Sequence, residues 1–454
     1  MAYPPHASAV VLGASMGGLL AARALSPHVA RVTVVERDYL ENGPTLRKGV
    51  PQAAHAHGLL ASGYGVIDSY FPGLMDELHQ CGAPHGDVVG DFLWFQYGRW
   101  KLRHDAGLRG IVVSRPCLES AIRRHVRALP NVTILDGTTA VRPIYDEALR
   151  RVRGLVVRGR ERQVDETMTA DLVVDASGRG SQAPAWLDSW GYERPDTALI
   201  RIDLGYATRM FERRPGDFFN SVGAVIAGTP PESTRYCAVL AAEGDRWVIT
   251  LAGTLGDHPP TDMAGWLAFA ATLPVADVYQ LAVSAKPIGE PARYHFPANQ
   301  RRLYEQMSRF PEGFVVFGDA LCSFNPLYGQ GMSTAAMEAR ALEQTVAIGL
   351  DRVGPRFFAR AKKVVDTAWT IAAGEDLKYP EVEGPRPPGT GLINRYLERV
   401  HAIASVDPVV CSRFFNVLNL LEPAPALMSP SIAWRVLSRR KPASMGSPWG
   451  VKTR

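Results

Sequence analysis

Residues 8–36 read SAVVLGASMGGLLAARALSPHVARVTVVE. Ser8 to Leu12 form a short apolar run with VVL at its centre, followed by the turn Gly13-Ala14-Ser15-Met16-Gly17-Gly18. LLAARALS then has helical spacing, and Val29 with RVTVVE makes a second apolar run that ends in Glu36. Strand, glycine turn, helix, strand and acid, with Glu36 standing 23 residues beyond Gly13, predict an α/β, Rossmann-like dinucleotide-binding unit. Gly13 makes the tight turn, and Gly17 and Gly18 open the helix, with Gly18 letting it pack closely on the strand. The helix N-terminus aims N–H groups and a partial positive charge at a pyrophosphate. Glu36 can accept hydrogen bonds from both ribose hydroxyls, and an acid there disfavours a 2′-phosphate. Ser15 departs from the glycine pattern, but it is small and its hydroxyl can donate to phosphate. Gly13, Ser15, Gly17, Gly18, Glu36 and the adjacent Arg37 are the first candidate cofactor contacts.

Two further segments repeat the strand-to-turn pattern. Residues 171–181, DLVVDASGRGS, run from an apolar strand into Asp175 and a small-residue turn with Gly178 and Gly180. Residues 317–333, FGDALCSFNPLYGQGMS, follow the apolar FVVF of 314–317 and precede a helix predicted from about Met332 to Gly349. Asp319 at the strand's end can accept hydrogen bonds from a polyol, and Pro326 stiffens the loop. Gly329 and Gly331 let the backbone approach a flat ligand without a Cβ in the way. The following helix points its N-terminus at whatever sits above it. A ribityl chain and an electron-accepting ring carbonyl satisfy all of these features, so the ligand predicted is FAD rather than NAD. The helix dipole would stabilise negative charge on the flavin by ~0.3–2 kcal/mol. One well-aimed N–H donor is worth ~3–4 kcal/mol, so the amides outweigh the dipole.

The three segments in this order resemble the class A FAD-dependent monooxygenase superfamily of aromatic hydroxylases and squalene-epoxidase-like enzymes. GASMGG with Glu36 is similar to its first fingerprint, DASG to its middle motif, and GDA…P…GQGM to its second FAD motif. RKGVPQAAHAHG (47–58) and SRPCLESAI (114–122) are similar to its cofactor-edge segments, which implies that Arg47 and Gln52 follow the flavin edge and Arg115 meets FAD. The resemblance adds Asp175, Gly178, Gly318, Asp319, Gly331 and Met332 as cofactor contacts, and places Pro326, Gly329, Gln330 and Gly331 near the flavin ring. Cys322 stands where the hydroxylases often carry histidine. That departure, with RKGVPQ…H.H.LL, is closer to bacterial polyether-pathway epoxidases. The fold implied is a Rossmann-like, glutathione-reductase-type FAD domain in three pieces (about 1–80, 110–195 and 300–350). A β-sheet substrate domain (81–109 and 196–299) and a helical C-terminal region (351–454) complete it.

Among these segments, FLWFQYGRWKL (92–102), the alternating runs within 197–252 and LAVSAKPIGEPARYHFP predict the substrate sheet, and EVEGPRPPGTG (381–391) reads as a linker. The chain has 454 residues, 46% hydrophobic and 21% charged, enough for a large core. It shows neither a transmembrane run nor a secretory leader, which predicts a cytoplasmic protein. Its five cysteines are scattered and never in CxxC spacing, which argues against a disulfide framework or zinc site. His55 and His57 are two apart without ligand partners nearby, so no metal is expected. A histidyl- or cysteinyl-flavin bond through His55, His57 or Cys322 is a lesser alternative. The net charge of +5 is too mild for nucleic acid, and the basic tail from Arg435 to Arg454 reads as a solvated terminus before it reads as a membrane contact.

The resemblance implies that NAD(P)H or a separate flavin reductase reduces FAD, and that a C4a-hydroperoxide passes one oxygen atom of O2 to a lipophilic substrate. The absence of a second GxGxxG means that nicotinamide binds transiently or not at all. No acid–base pair stands out in the sequence, which favours an alkene of a polyketide or terpenoid over a phenol. The alternatives are an aromatic hydroxylase of a natural-product pathway, an FAD-dependent prenyl-chain reductase, a halogenase (without a WxWxIP-like segment) and a scaffold that binds FAD structurally.

Overall fold

In this computed structural model the residues described are 6–161, 163–386 and 388–442. The opening stretch forms the strand Ser8–Leu12, the helix Met16–Leu25 and the strand Arg31–Val35. They lie in a five-stranded parallel sheet whose strand order is Phe314–Val316, Leu172–Asp175, Ser8–Leu12, Arg31–Val35, Val132–Leu135. Helices cover the sheet, so its strands are continuous apolar runs rather than alternating ones: Val10, Val11, Val32, Val173 and Val315 are all buried. The glycine pattern is a packing requirement here. A Cβ on Gly18 would lie 1.7 Å from the Gly13 carbonyl oxygen, and one on Gly13, at φ +95°, would lie 2.8 Å from that of Ala176. Three antiparallel strands, Thr138–Asp146, Arg151–Gly159 and Asp165–Thr169, form a meander between Val132–Leu135 and Leu172–Asp175.

A mixed eight-stranded sheet stands beside this unit. From the short edge strand Cys322–Ser323 it runs through Pro287–Arg302 and Thr197–Glu212, its longest pair, to Arg246–Gly253, Arg235–Ala242, Gly223–Ala227 and Phe92–Gln96. The aromatic run 92–102 breaks at Tyr97, which has φ +56°, into Phe92–Gln96 and the short strand Arg99–Trp100. The expectation of a strand beginning at LAVS is corrected. Asp277–Ser284 is a helix, with Val278, Leu281 and Ala282 buried at helical spacing, and the strand starts at Pro287.

The 24-residue helix Val353–Asp376 joins the two units. Phe357, Phe358, Ala361 and Val365 belong to the core of the parallel sheet. Ala373 at its other end shares a core with Ile200, Tyr206 and Tyr236 of the large sheet. The first half of the segment 381–391 is pinned rather than loose, and residue 387 lies outside the described residues. Val382 is buried, and the Arg386 guanidinium donates to the carbonyls of Tyr379 and Val382 at 2.8 and 2.7 Å. Helices Thr390–Ile403, Pro408–Leu418 and Pro430–Ser438 form a third core with Val89, just before the strand Phe92–Gln96. In the basic tail, Arg435 and Arg439 pair with the buried Asp407 at 3.0 and 2.9 Å, and 443–454 lie outside the described residues. No helix of the described residues is long and apolar enough to cross a membrane.

Candidate cofactor cleft and substrate cavity

Leu12 aligns with Asp175, and Asp175 aligns with Val316, so the three motif turns leave adjacent parallel strands at the same edge. That edge is where open α/β sheets bind ligands. Ser15 is the N-cap of Met16–Leu25, yet its hydroxyl does not cap the helix. It donates to Glu119 Oε2 at 3.0 Å and accepts from Arg115 Nη2 at 2.8 Å. Glu119 also accepts from Arg47 Nη2 at 2.8 Å and pairs with Arg115 at 3.2 Å. Arg47 reaches on to Glu36 at 3.1 Å. Glu36 accepts from the N–H groups of Ala14 and Asp38 at 2.8 and 3.0 Å. The structure therefore brings Ser15, Glu36, Arg47 and Arg115 together through one side chain that the motif reading passed over. Glu119 stands four residues after Arg115, one helical turn along the same face. Burial opposes its charge, but Arg115 and Arg47 outweigh that and hold its carboxyl below the usual range. Burial likewise opposes the Arg47 charge, and Glu119 and Glu36 together raise it. Arg37 next to Glu36 is exposed, and Gln52 is half-buried in the short turn Pro51–Ala54.

Asp175 turns inward. Its Oδ1 accepts from the N–H and hydroxyl of Ser177 and its Oδ2 from the hydroxyl of Ser181, so it orders its own turn. Gly178, at φ +85°, and Gly318, at φ +64°, both have open space where a Cβ would stand. The Gly318 N–H donates to the buried Glu338 Oε2 at 2.8 Å. Asp319 is exposed to the cleft; its pKa is raised by the surrounding protein, with Arg115 and Arg179 opposing. The helix Gly331–Val346 begins one residue before the predicted start, and Met332 is buried in the core beneath it. A Cβ on Gly331 would meet nothing within 4 Å, so no protein packing demands a glycine at that exposed helix start. Gln330 is fully buried, and neither its amide nitrogen nor its amide oxygen has a partner in the protein. A buried amide left so is costly. A flat ligand with ring nitrogens and carbonyls against the 330–331 backbone fits it, so the residues present fit FAD.

The turn Pro326–Tyr328 and Gly329 face a second space. A mostly apolar cavity of about 160 Å³ is lined by Pro326, Leu327, Tyr328 and Gly329, by Phe92, Trp94, Val225 and Leu240 of the large sheet, and by 56–60. Phe415 and Leu418 from the C-terminal helices close it, a contribution with no signal in the sequence. Trp94 and Phe415 meet edge to face at 5.9 Å. His55 is buried beside this space. Its Nδ1 bonds Thr208 Oγ1 at 2.7 Å, its Nε2 has no partner, and burial pushes its pKa down to about 4. Burial, with Arg115 nearby, takes His57 to about 3, so both imidazoles are neutral at neutral pH. Burial raises the Cys322 thiol well above its ordinary value.

Asp376 was also invisible as a site residue. It ends the long bridging helix, fully buried. Its Oδ1 accepts from Tyr328 OH at 2.8 Å and Asn325 Nδ2 at 2.9 Å, and its Oδ2 from Asn299 Nδ2 at 2.6 Å. Burial raises its pKa to about 7 against these three donors. One carboxyl group thus holds the loop that divides cleft from cavity at Asn325 and Tyr328 and ties it to Asn299 of the large sheet.

Residues 6–355 match the family model described as FAD binding domain. The chain belongs to this family. It is 34% identical over 451 residues to "Protein Rv3254" of Mycobacterium tuberculosis (strain ATCC 25618 / H37Rv), covering 96% of this chain and 94% of that one. Its fold matches the p-nitrophenol 4-monooxygenase PnpA from Pseudomonas putida DLL-E4 with a TM-score of 0.64 at 17% identity, over 92% of this chain and 99% of that one. It also matches the flavin-dependent brominase Bmp2 with a TM-score of 0.64 at 15% identity, over 94% and 98% of the two chains.

Proposed function

We propose that this protein is an FAD-dependent monooxygenase that places one oxygen atom from O2 on a lipophilic substrate. The observation that carries this reading is the 326–331 segment. Pro326 and Gly329 wall the apolar cavity, while Gly331 opens the next helix toward the cleft, so cofactor and substrate would share one thin partition. The helix starts at Met16 and Gly331 and the Glu36–Arg47–Glu119–Arg115 chain would hold FAD. When bound, FAD supplies the activation of O2, with electrons from NAD(P)H or a separate flavin reductase. Trp94, Phe415 and Leu418 give the cavity apolar walls, and neutral His55 puts no charge beside it. An alkene of a polyketide or terpenoid, as in polyether-type pathways in the cytoplasm, suits these walls, and its epoxidation needs no proton removed from the substrate. The test is product mass under ¹⁸O2 with purified protein, reductant and a panel of polyenes and phenols. A labelled product supports the reading. Bromide- or chloride-dependent mass gain without label would replace it with halogenation, and product without oxygen uptake would replace it with reduction.

A second reading, hydroxylation of a phenol, is favoured by Tyr328 and Asp376. Tyr328 lines the cavity and donates a hydrogen bond from its hydroxyl to Asp376 Oδ1. Its oxygen can therefore accept a proton from a substrate hydroxyl while Asp376 takes the tyrosine's own. With Asp376 near 7, that acceptor is matched to neutral pH. Asp376→Asn separates the readings: turnover of a phenol should lose its dependence on a group titrating near pH 7, whereas alkene turnover should keep its pH profile.

A further inference from the structure

We propose that Asp203, His258 and His295 form a binding site for a divalent cation of the zinc class on the outer part of the large sheet. The three side chains come from separate parts of the chain. Asp203 lies in a register shift of the strand Thr197–Glu212, His295 on its neighbour Pro287–Arg302, and His258 in the turn after Arg246–Gly253. Both imidazole Nε2 atoms converge on one carboxylate oxygen. His295 Nε2 is 2.7 Å and His258 Nε2 3.3 Å from Asp203 Oδ1, and the three atoms lie within 4.8 Å of one another. The Asp203 carbonyl oxygen, 3.1 Å from His258 Nε2, is a further oxygen that a cation could take as ligand.

Two imidazoles and one carboxylate are the ligand set of zinc and its neighbours rather than of magnesium or calcium. With metal–ligand distances of about 2.0–2.1 Å, tetrahedral ligands stand about 3.3 Å apart. The His258–Asp203 separation already has that value, and the His295 contact needs to open by about 0.6 Å. Both imidazoles are partly exposed, which leaves room for water as the remaining ligand.

The local chain is shaped around these groups. Asp203 takes φ +45°, a left-handed conformation rare for a residue with a side chain, and this turns its carboxylate to the two rings. Gly205 leaves the space that the His258 ring fills: a Cβ there would fall 2.4 Å from the imidazole. Asp257, the neighbouring acid, is not a competitor, because Arg235 and Thr234 occupy both its oxygens. A cation here would tie the bulge, the turn and the partner strand together. One residue from His295 and three from Asp203, Tyr294 and Tyr206 pack against His55 at the substrate side of the same two strands. Metal at this site would therefore brace the wall that carries the cavity.

The proposal stands apart from the flavin chemistry and can be tested without it. Chelator-treated full-length protein is titrated calorimetrically with zinc chloride, and its melting temperature is followed with and without zinc. One zinc per chain with a dissociation constant in the micromolar range or tighter, and a zinc-dependent rise in melting temperature, are expected. His258→Ala and His295→Ala should each weaken binding by more than about tenfold, since loss of even an outer-shell partner of a metal ligand costs that much. The second exposed histidine pair, His79 and His85, whose Nδ1 atoms are 2.9 Å apart, supplies the control. His85→Ala should leave zinc binding unchanged. Zinc binding that survives His295→Ala in folded protein, or that disappears with His85→Ala, would overturn the proposal, as would binding only at millimolar zinc.

Discussion

Glu119 is the residue on which the cofactor end of the cleft turns. It is buried between two guanidinium groups and fixes Ser15 as well. Replacing it with Gln keeps its shape but leaves Arg47 and Arg115 facing each other without the charge that balances them. Removing one partner of a buried ion pair costs ~3–5 kcal/mol. Glu119→Gln should therefore lower the denaturant midpoint and release FAD more readily than Glu36→Ala, which leaves the Glu119 pairs in place and forfeits ~1.5–3 kcal/mol per lost charge-assisted bond. Equal FAD retention by Glu119→Gln and the parent would show that the chain of charges is only a scaffold for Arg115. Glu36, Arg47 and Arg115 were legible because each sits in a short motif with a known spacing. Glu119 was not, because its pairing with Arg115 one turn earlier reads as an ordinary helix pair and its link to Arg47 spans 72 residues, nor was Asp376, which meets Tyr328 across 48. A lone acid on a helix has no signal of its own.

At the scale of an element, the helix Gly331–Val346 carries two separable functions. Its start faces the cleft, and Gly331→Val adds bulk only into open space. The variant should fold, with unchanged circular dichroism, but hold FAD more weakly and release more H2O2 per reduced flavin, since a donor aimed at developing charge is worth ~3 kcal/mol. Unchanged coupling of reduction to product would mean that the helix start does not meet the cofactor. Further along, Glu338 lies buried beneath Gly318, and burial, with Asp319 adding, raises its carboxyl from the ordinary 4.5 to about 8. The folded chain then holds this proton more tightly than the unfolded chain. Its contribution to stability is complete below about pH 4.5 and is lost as the pH climbs through 8. Glu338→Gln mimics the protonated form, so its stability advantage should grow between those pH values, reach about 3–5 kcal/mol, and level off above. Urea midpoints at pH 5 and 9 measure it, and a gap that does not change with pH would refute the buried ionisation. The helix itself, like the first strand–turn–helix, was readable from periodicity and glycines. The Asp277–Ser284 helix was mistaken for sheet because Leu281, Val283 and Ala285 alternate at period 2 while Val278, Leu281 and Ala282 fit the helix.

For the whole molecule, the C-terminal helices are part of the wall of the apolar cavity rather than an appendage. Phe415 touches Trp94 and closes the cavity between two units that the sequence presents as separate. Phe415→Ala should cost ~3–5 kcal/mol of stability and enlarge the cavity. The enzyme should then accept bulkier substrates with a lower KM while its FAD content stays at the parent level. A KM pattern identical to the parent across a size series would place the substrate elsewhere. No periodicity announces such a contact, since a buried phenylalanine on a helix reads the same whether it faces core or ligand.

The order of strands in the parallel sheet also sets a timetable for synthesis. Leu172–Asp175 is flanked by Ser8–Leu12 on one side and on the other by Phe314–Val316, which leaves the ribosome 139 residues later. At roughly 5–20 residues per second the nascent chain spends about 7–30 seconds with that apolar strand edge unpaired. The meander that precedes the strand and the large sheet made during the delay are what can shelter it, so slow translation between residues 176 and 313 should favour aggregation of the unfinished chain over its release as native protein.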